Sequence, residues 1–367
     1  MVANADEQHG DAVGDQRVLQ EIQNSLQAVL RRSAELGSGD LQSSLHAFQN
    51  QLQVALLGLE SQATGPAGET TEESEAASQL LGLIFRADVP KKLIGYLGLL
   101  EFEHRKDATR AVGMISRLST AVDGGAQVTE YMRNHPDLVE LLLEGCGRTD
   151  VFMHCAQMLE RFARNPLLVT LLLDAQASMK LIDLAQHPNF DIASEAFNSL
   201  RTLLMTQKSV SAAYLKRDFV DFFAHLHSLL QTDVYVTKRQ ALRLLGEVLL
   251  SRSFMSVVVD YVSNDAFLPI HMNLLRDDSK AIQIEAFHIL KIFVANPDKP
   301  RRVALILHRN RERLKDVFQS LSGVRKTDKA LLEDVRAATK LLDKLEASIK
   351  RPLAVDATQP AVVEVAA

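Results

Sequence analysis

Two Glu-x-x-His pairs have a spacing that could support metal chemistry: Glu101 with His104, and Glu285 with His288. Residues at positions i and i+3 share one face of a helix, and facing pairs of this kind hold dinuclear metal centres in carboxylate proteins. Such a centre also needs two further carboxylates. The pairs are 184 residues apart, so we expect them to lie far from each other. A polar helix edge with a hydrogen-bonded histidine is favoured at each pair, and a metal-dependent hydrolase stays an alternative that metal analysis would test.

Other catalytic and ligand-binding motifs are missing from the sequence or have the wrong spacing. His225 and His227 are two residues apart, so on a helix their side chains point in widely different directions and cannot share a metal. The sequence contains no aspartate-rich calcium loop, no glycine-rich phosphate loop and no Gly-x-Ser-x-Gly motif. We therefore predict a protein that is not an enzyme and that holds no metal and no cofactor.

Two arginines one helical turn apart, Arg239 and Arg243, form a different kind of candidate site. Like charges at this spacing cost about 0.2–0.5 kcal/mol, which Glu247, one turn further on, partly offsets. The pair is either a solvated helix face or an acceptor for carboxylates, which the planar guanidinium binds through two hydrogen bonds. The arginines lie in a basic region, since residues 235–315 carry 14 basic and 8 acidic side chains. Residues 1–80 carry 3 basic and 12 acidic side chains.

Composition limits the classes of partner. The net charge is −5, and the basic residues are not interleaved with aromatic ones, so no nucleic acid partner is expected. No stretch approaches 18 apolar residues and the N-terminus is polar, so we expect no membrane partner and no signal peptide. The two cysteines, Cys146 and Cys155, lack metal spacing, and Cys155 is predicted to be buried. The sequence thus predicts a cytoplasmic protein.

An alanine that recurs at a nearly constant interval organises the elements that must position these residues. Ala111, Ala156, Ala196, Ala241 and Ala286 lie 45, 40, 45 and 45 residues apart, each within a similar apolar helical stretch. A period of about 40–47 residues with two or three helices per unit is typical of armadillo and HEAT arrays. A small side chain lets an inner helix pack closely on its neighbour. The sequence therefore predicts an all-α, armadillo/HEAT-like helical repeat solenoid, curved and offering an extended binding surface.

Local patterns define the ends of this array. One helix face is predicted to be buried through Ile282, Ala286, Ile289, Leu290 and Phe293. A C-terminal capping helix is predicted to pack through Leu331, Leu332, Val335, Ala338, Leu341, Leu342 and Leu345. Asn165-Pro166 and Asn296-Pro297 follow their alanines at similar distances, which predicts that two repeats close in the same way.

The predicted domain organisation is a single helical repeat domain over residues 15–350. A disordered N-terminus, 1–14, precedes the domain, and a flexible tail, 351–367, follows it. The domain is expected to comprise an N-terminal helical cap at 15–62, a loop at 63–71, repeats at 72–325 and the capping helix at 328–350.

Several longer stretches are informative about the family: Phe190–Phe197, Leu244–Glu247, Ile284–His288 and Phe293–Pro297. Through these stretches the sequence resembles the calcium-binding protein 39 family, also called the mouse-protein-25 scaffolds. The resemblance is dense over 190–310 and continues back to about residue 76. It implies an armadillo-like scaffold without catalytic activity.

The resemblance also implies a class of partner. Family members bind a pseudokinase adaptor and, through it, liver kinase B, and they bind germinal-centre kinases directly. This protein is therefore expected to bind and allosterically activate a sterile-twenty-type (germinal-centre) kinase, or a pseudokinase complex with a liver-kinase-B-like kinase. A monomeric scaffold within a hetero-complex is implied. Its concave face would hold the kinase, and a C-terminal pocket would take a Trp-Glu-Phe-type tail of the partner.

The positions that the resemblance assigns to partner contacts are Tyr235, Lys238, Arg239, Arg243, Arg252, Met272 and Arg309. Arg239, Met272 and Arg309 correspond to the tail pocket, where a guanidinium would bind the acid and the methionine would pack on the aromatic rings. Tyr235 and Arg243 correspond to the kinase-facing surface, and Arg252 to a contact with the kinase activation loop. Met255 stands where the family has phenylalanine, so one aromatic contact is missing.

An armadillo-type cargo or signalling adaptor with no kinase partner is the alternative. Arrays of the nuclear-import type hold basic peptides with ladders of tryptophan and asparagine and with acidic residues. This chain has no tryptophan, and its candidate face is positive.

Overall fold

The computed structural model describes residues 72–100, 102–324 and 327–345. Glu101, the predicted N-terminal segments, the end of the capping helix and the tail lie outside these ranges. Within them the regular elements are 18 α-helices and two short 3-10 turns, without any strand. The predicted all-α class is therefore confirmed. Over the same ranges, no helix combines the length and the apolar character needed to cross a bilayer.

The chain divides into two compact units, with unit 1 ending at Thr237 and unit 2 starting at Lys238. The helices of unit 1 are α1 (Glu72–Arg86), α2 (Val89–Gly95), α3 (Phe102–Asp123), α4 (Ala126–Asn134), α5 (Pro136–Gly145), α6 (Phe152–Phe162), α7 (Pro166–Asp174), α8 (Ala177–Leu184), α9 (Phe190–Thr206), α10 (Lys208–Arg217) and α11 (Phe219–Leu230). The single domain expected over 15–350 stays a prediction.

The division falls within α12 (Tyr235–Leu250), after its first turn. The helices that follow in unit 2 are α13 (Met255–Ser263), α14 (Leu268–Leu274), α15 (Lys280–Ala295), α16 (Arg301–Arg309), α17 (Arg311–Val324) and α18 (Lys329–Asp343). The 3-10 turns are Leu97–Leu99 in unit 1 and Arg252–Phe254 in unit 2.

The recurring alanines lie in the core of both units. Ala111, Ala156 and Ala196 are at most 3% exposed, on α3, α6 and α9 of unit 1. Helix α6 packs against both α3 and α9, so a larger side chain at these positions would push closely packed helices apart. In unit 2, Ala241 on α12 and Ala286 on α15 are completely buried. The predicted inner helices are thus confirmed.

Asn165 explains why an Asn-Pro dipeptide begins a helix in unit 1. Its side-chain oxygen accepts hydrogen bonds from the N–H groups of Leu167 and Leu168, which caps α7, and Pro166 occupies a first-turn position that needs no donor. Its amide donates to the carbonyl oxygen of Gly124 at 2.8 Å and to Thr120 Oγ1 at 3.1 Å, which joins α7 to the end of α3.

Asn296-Pro297 behaves differently, so the prediction that both dipeptides close a repeat in the same way is wrong. Asn296 follows the last residue of α15, and its side-chain oxygen accepts from the N–H of Asp298 at 3.0 Å. Helix α16 begins only at Arg301, after Pro300. In a helix that began at Pro297, the N–H of residue 300 would donate to the carbonyl oxygen of Asn296. Residue 300 is proline and has no N–H, so the helix begins after it.

Unit 2 confirms most of the predicted helix faces. Ile282, Ala286, Ile289, Leu290 and Phe293 of α15 are fully buried. Helix α18 packs against α15 and α17 through Leu331, Val335, Ala338, Leu342 and, just beyond its last residue, Leu345. Leu332 is half-buried. Leu341 is 38% exposed, so its predicted burial is wrong. With about 100° per residue, Leu341 lies roughly 80° away from the centre of the buried stripe.

Candidate partner-binding site

An open cavity of about 240 Å³ lies between α14, α16 and α17 of unit 2. Its apolar lining includes Met272, Leu275, Ile306, Leu314 and Val317. Pro269, Asn273 and Asn310 also line it. Because methionine is flexible and polarisable, such a surface adapts to aromatic side chains.

Arg276 and Arg313 are the two charged residues that line this cavity. No carboxylate lines it within the described part of the chain. The nearest acid in sequence to Arg313, Glu312, accepts from Arg311 at 2.9 Å and pairs with Lys315 at 3.3 Å. These hydrogen bonds lower the pKa of Glu312 and keep it ionised, so its charge is taken up by neighbours on α17. The cavity therefore combines an apolar lining with two cations.

The predicted tail-pocket residues are placed unequally with respect to this cavity. Met272 lines it, whereas Arg309, the exposed last residue of α16, does not. Arg239, on α12, is also absent from the lining. Its Nε atom is buried and, among the described residues, has no hydrogen-bond partner. The cavity thus contains one of the three predicted residues.

The predicted kinase-facing residues are accessible. Tyr235 is exposed at the start of α12, and Arg243 is exposed further along the same helix. Arg252 is exposed at the first position of the 3-10 turn, and Met255 is exposed at the start of α13. Tyr235, Arg243 and Arg252 are therefore available to a partner, and their assignment stays a prediction.

Lys238 differs from the other predicted residues because its charge is already paired. Its Nζ donates to Asp277 Oδ2 at 2.9 Å, and each side chain is 17% exposed. The pair links α12 to the turn between α14 and α15. A direct contact of Lys238 with a partner would compete with this ion pair.

The sequence analysis counted Arg276 and Arg313 only among the basic residues of 235–315 and missed their place in the site. Helical spacing gave no usable signal. Arg276 lies after the end of α14, which carries Met272, and Arg309 and Arg313 lie on different helices, α16 and α17. The lining of a cavity by three separate helices is a tertiary property that spacing alone does not give.

A second cavity, of about 480 Å³, lies between α17 and α18. Its lining includes Lys315, Arg336, Lys340 and Asp343. Lys315 is bound to Asp343 at 2.9 Å, so part of its positive charge is neutralised within the cavity itself. The smaller cavity fits an acidic ligand better because, among the described residues, no carboxylate lines it beside Arg276 and Arg313.

The described residues considered as metal ligands do not form a metal site. In the described part of the chain, no group of three or more His, Cys, Asp or Glu side chains could hold a metal ion. His104 is buried on α3, and Glu101 lies outside the described residues. His288 Nδ1 is 3.8 Å from Asp334 Oδ2. Burial, together with the nearby Lys291 ammonium, lowers the pKa of His288.

The other histidine and cysteine candidates have ordinary structural surroundings. His225 is exposed, with its Nδ1 2.8 Å from the carbonyl oxygen of Asp221, whereas His227 on the same helix is buried. Cys146 and Cys155 are both buried and free. Cys155 is 1% exposed, which confirms its predicted burial. Burial raises the pKa of its thiol to about 12, so the thiol stays protonated at neutral pH.

The fold defines an all-α helical repeat protein. The sequence profile of the Mo25-like family matches residues 13–346. The chain therefore belongs to the Mo25-like family.

Individual relatives agree with this assignment. A putative MO25-like protein of Arabidopsis thaliana is 40% identical over 247 residues, which cover 67% of this chain and 71% of the relative. A human protein called calcium-binding protein 39-like is 33% identical over 266 residues, which cover 72% of this chain and 78% of the relative. Among solved structures, a computationally designed armadillo repeat protein for modular peptide recognition aligns with 69% of this chain and 99% of its own, at 13% identity and a TM-score of 0.42.

Proposed function

We propose that the protein is a non-catalytic, cytoplasmic scaffold that binds and activates a sterile-twenty-type kinase, or a pseudokinase in complex with a liver-kinase-B-like kinase. Membership in the Mo25-like family supports a scaffold-type protein. The kinase partner rests on the resemblance of the sequence to the calcium-binding protein 39 family.

The cavity beside Met272 supports a docking site for a Trp-Glu-Phe-type tail of the partner. Aromatic side chains would pack on Met272, Ile306 and the neighbouring apolar lining. The glutamate would be bound by Arg276 or Arg313, whose charges no lining carboxylate neutralises in the described part of the chain. This match of apolar lining and positive charge is the observation that carries the proposal.

Activation would follow from selective binding and requires no chemistry by the scaffold. A scaffold that binds the active conformer of a kinase more tightly than the inactive one shifts the equilibrium towards the active conformer. Couplings of about 1–3 kcal/mol, a five- to 150-fold preference, are typical of such effects. The exposed Tyr235, Arg243 and Arg252 are the proposed contacts with the kinase itself.

The proposal is tested by titrating a synthetic peptide that ends in Trp-Glu-Phe into the full chain. Met272→Glu places a carboxylate in the cavity, and we expect at least about a tenfold loss of affinity. Met153→Glu, at an exposed methionine of α6, makes the same chemical change far along the chain and should leave the affinity unchanged. Equal effects of the two substitutions would rule out this cavity as the docking site.

Kinase activation needs a separate measurement. The activity of a sterile-twenty-type kinase should rise with scaffold concentration, and Arg252→Ala should reduce the maximal activation without changing the affinity for the peptide. If the peptide binds but no kinase of this class is activated, the protein is instead an adaptor for acidic segments.

A further inference from the structure

Asp277 fixes the turn between α14, which lines the cavity, and α15. Its Oδ1 accepts from the N–H of Ser279 at 2.9 Å, and its carbonyl oxygen accepts from Gln283 Nε2 at 2.6 Å. Its own N–H donates to the carbonyl oxygen of Leu274 at 3.2 Å. The backbone on both sides of Asp277 is therefore held by hydrogen bonds.

The remaining oxygen of Asp277, Oδ2, accepts from Lys238 of α12. Burial alone would raise the pKa of Asp277, but the hydrogen bonds from Lys238 and from the Ser279 N–H outweigh it and hold the pKa below its ordinary value. The carboxylate is thus charged at neutral pH. Since both side chains are largely buried, water screens this ion pair less than a surface pair.

Arg276 directly precedes Asp277 and lines the cavity. Its N–H donates to the carbonyl oxygen of Asn273 at 2.9 Å, so its backbone belongs to the same hydrogen-bonded turn. A shift of the Asp277 side chain would therefore move the Cα atom that carries the Arg276 guanidinium.

We propose that Lys238 and Asp277 are positioning residues for the partner site. Their ion pair ties the turn to α12 and so directs Arg276 towards an acidic ligand in the cavity. This inference rests on the proposed function of that cavity, and it gives Lys238 an indirect role in place of a direct partner contact.

A double-mutant cycle with the peptide that ends in Trp-Glu-Phe tests the inference. Asp277→Asn keeps the shape and an oxygen for the Ser279 N–H but removes the charge that binds Lys238. We expect about fivefold weaker binding by the full-length variant. In an Arg276→Ala background the same substitution should cause no further loss, because the residue that it positions is absent. A fivefold loss in both backgrounds would overturn the inference and indicate general destabilisation.

The neighbouring exposed acid offers a matched control. Asp278→Asn makes the same change one residue later, outside the hydrogen-bonded network, and should leave the affinity within about twofold of wild type. By net charge alone, removing an acid should slightly favour an acidic peptide, so a loss as large as that of Asp277→Asn would show that the Lys238 ion pair is not its cause and would overturn the inference.

Hydrogen exchange gives a readout that needs no ligand. In Lys238→Met, the amides of Asp277 and Ser279 should exchange about fivefold faster than in wild type, because the turn is no longer tied to α12. Unchanged exchange would overturn the positioning role whether or not the peptide binds. Failure of wild type to bind the peptide, with faster exchange in Lys238→Met, would instead overturn the proposed function of the cavity.

Discussion

Units 1 and 2 differ in how deeply the ion pairs that join their helices are buried. Neutral groups make several of the partly or fully buried contacts of unit 1: Asn165 donates to Gly124, Thr109 Oγ1 lies 3.2 Å from His154 Nδ1, and Ser178 Oγ lies 2.6 Å from the Tyr214 hydroxyl. The ion pair between Lys91 and Asp137, by contrast, lies on the surface of that unit.

Unit 2 also has a buried neutral contact, with the Tyr261 hydroxyl 2.6 Å from His271 Nε2. Its helices are joined in addition by ion pairs, of which Lys238 with Asp277 is well buried. Lys238 binds Asp277, Lys291 binds Asp334 and Lys315 binds Asp343, each across two different elements. The aspartates are thereby occupied within the unit. Among the described residues no ion pair involves Arg276 or Arg313, both of which line the cavity. These three aspartates are thus used for internal contacts, whereas Arg276 and Arg313 have no ion pair in the described part of the chain, as the proposed binding of an acidic partner requires.

The largest expected loss of stability comes from the neutral contact of Asn165 with the end of α3 in unit 1. Asn165→Ala removes the α7 cap and the two bonds to the end of α3, and should lower the free energy of unfolding by about 2 to 3 kcal/mol. Asn189→Ala is the matched control, because Asn189 caps α9 through the N–H groups of Asp191 and Ile192. It should cost about 1 kcal/mol. Urea unfolding of both variants measures the difference, and equal losses would contradict the role of the cross-helix bonds.

The loss of stability of unit 1 at acid pH should be of intermediate size. Burial lowers the pKa of His227 to about 4 from 6.5, so the folded state keeps this imidazole neutral while the unfolded state protonates first. Its contribution to stability is therefore present above pH 6.5 and is lost as the pH falls from 6.5 to about 4. Urea midpoints measured over this range should fall less steeply in His227→Phe.

His225 provides the control for that measurement because it lies on the same helix and is exposed. His225→Phe should keep the wild-type pH dependence. A wild-type slope in His227→Phe would show that other groups, such as His154, control the acid sensitivity, since burial lowers the pKa of His154 as well.

The smallest loss of stability is expected from breaking the ion pair between Lys291 and Asp334 in unit 2. Lys291→Met removes the ammonium that holds Asp334 of α18 and should cost about 1 kcal/mol at low salt, less at 1 M salt where charges are screened. Lys344→Met, at an exposed lysine just after α18, should change stability by less than about 0.5 kcal/mol. A cost for Lys291→Met that does not change with salt would indicate that packing, rather than charge, joins these helices.

The sequence predicted the repeated elements well because their signals are local. The recurring alanines and the stripe from Ile282 to Phe293 depend only on helical spacing, and all of these residues are buried. The prediction that Leu341 is buried was wrong because this residue lies at the edge between the buried and the exposed face of α18. The Asn296-Pro297 prediction was wrong because Pro300, a few residues later, changes where α16 can begin.

The candidate site was harder to predict because it is assembled from distant segments. Lys238 and Asp277 are 39 residues apart, and nothing in their spacing indicates that they meet. The resemblance supplied Met272, whereas Arg276 and Arg313 became part of the site only when α14, α16 and α17 were placed together.

We propose that arginines in the cavity of unit 2 recognise an acid between aromatic side chains. The decisive experiment compares the affinities of two peptides, one ending in Trp-Glu-Phe and one in Trp-Gln-Phe, for wild type and for the Arg276→Ala/Arg313→Ala variant. We expect wild type to prefer the glutamate peptide by about tenfold and the double variant to lose that preference. Equal affinity of wild type for both peptides, or a preference that survives in the double variant, would contradict the account.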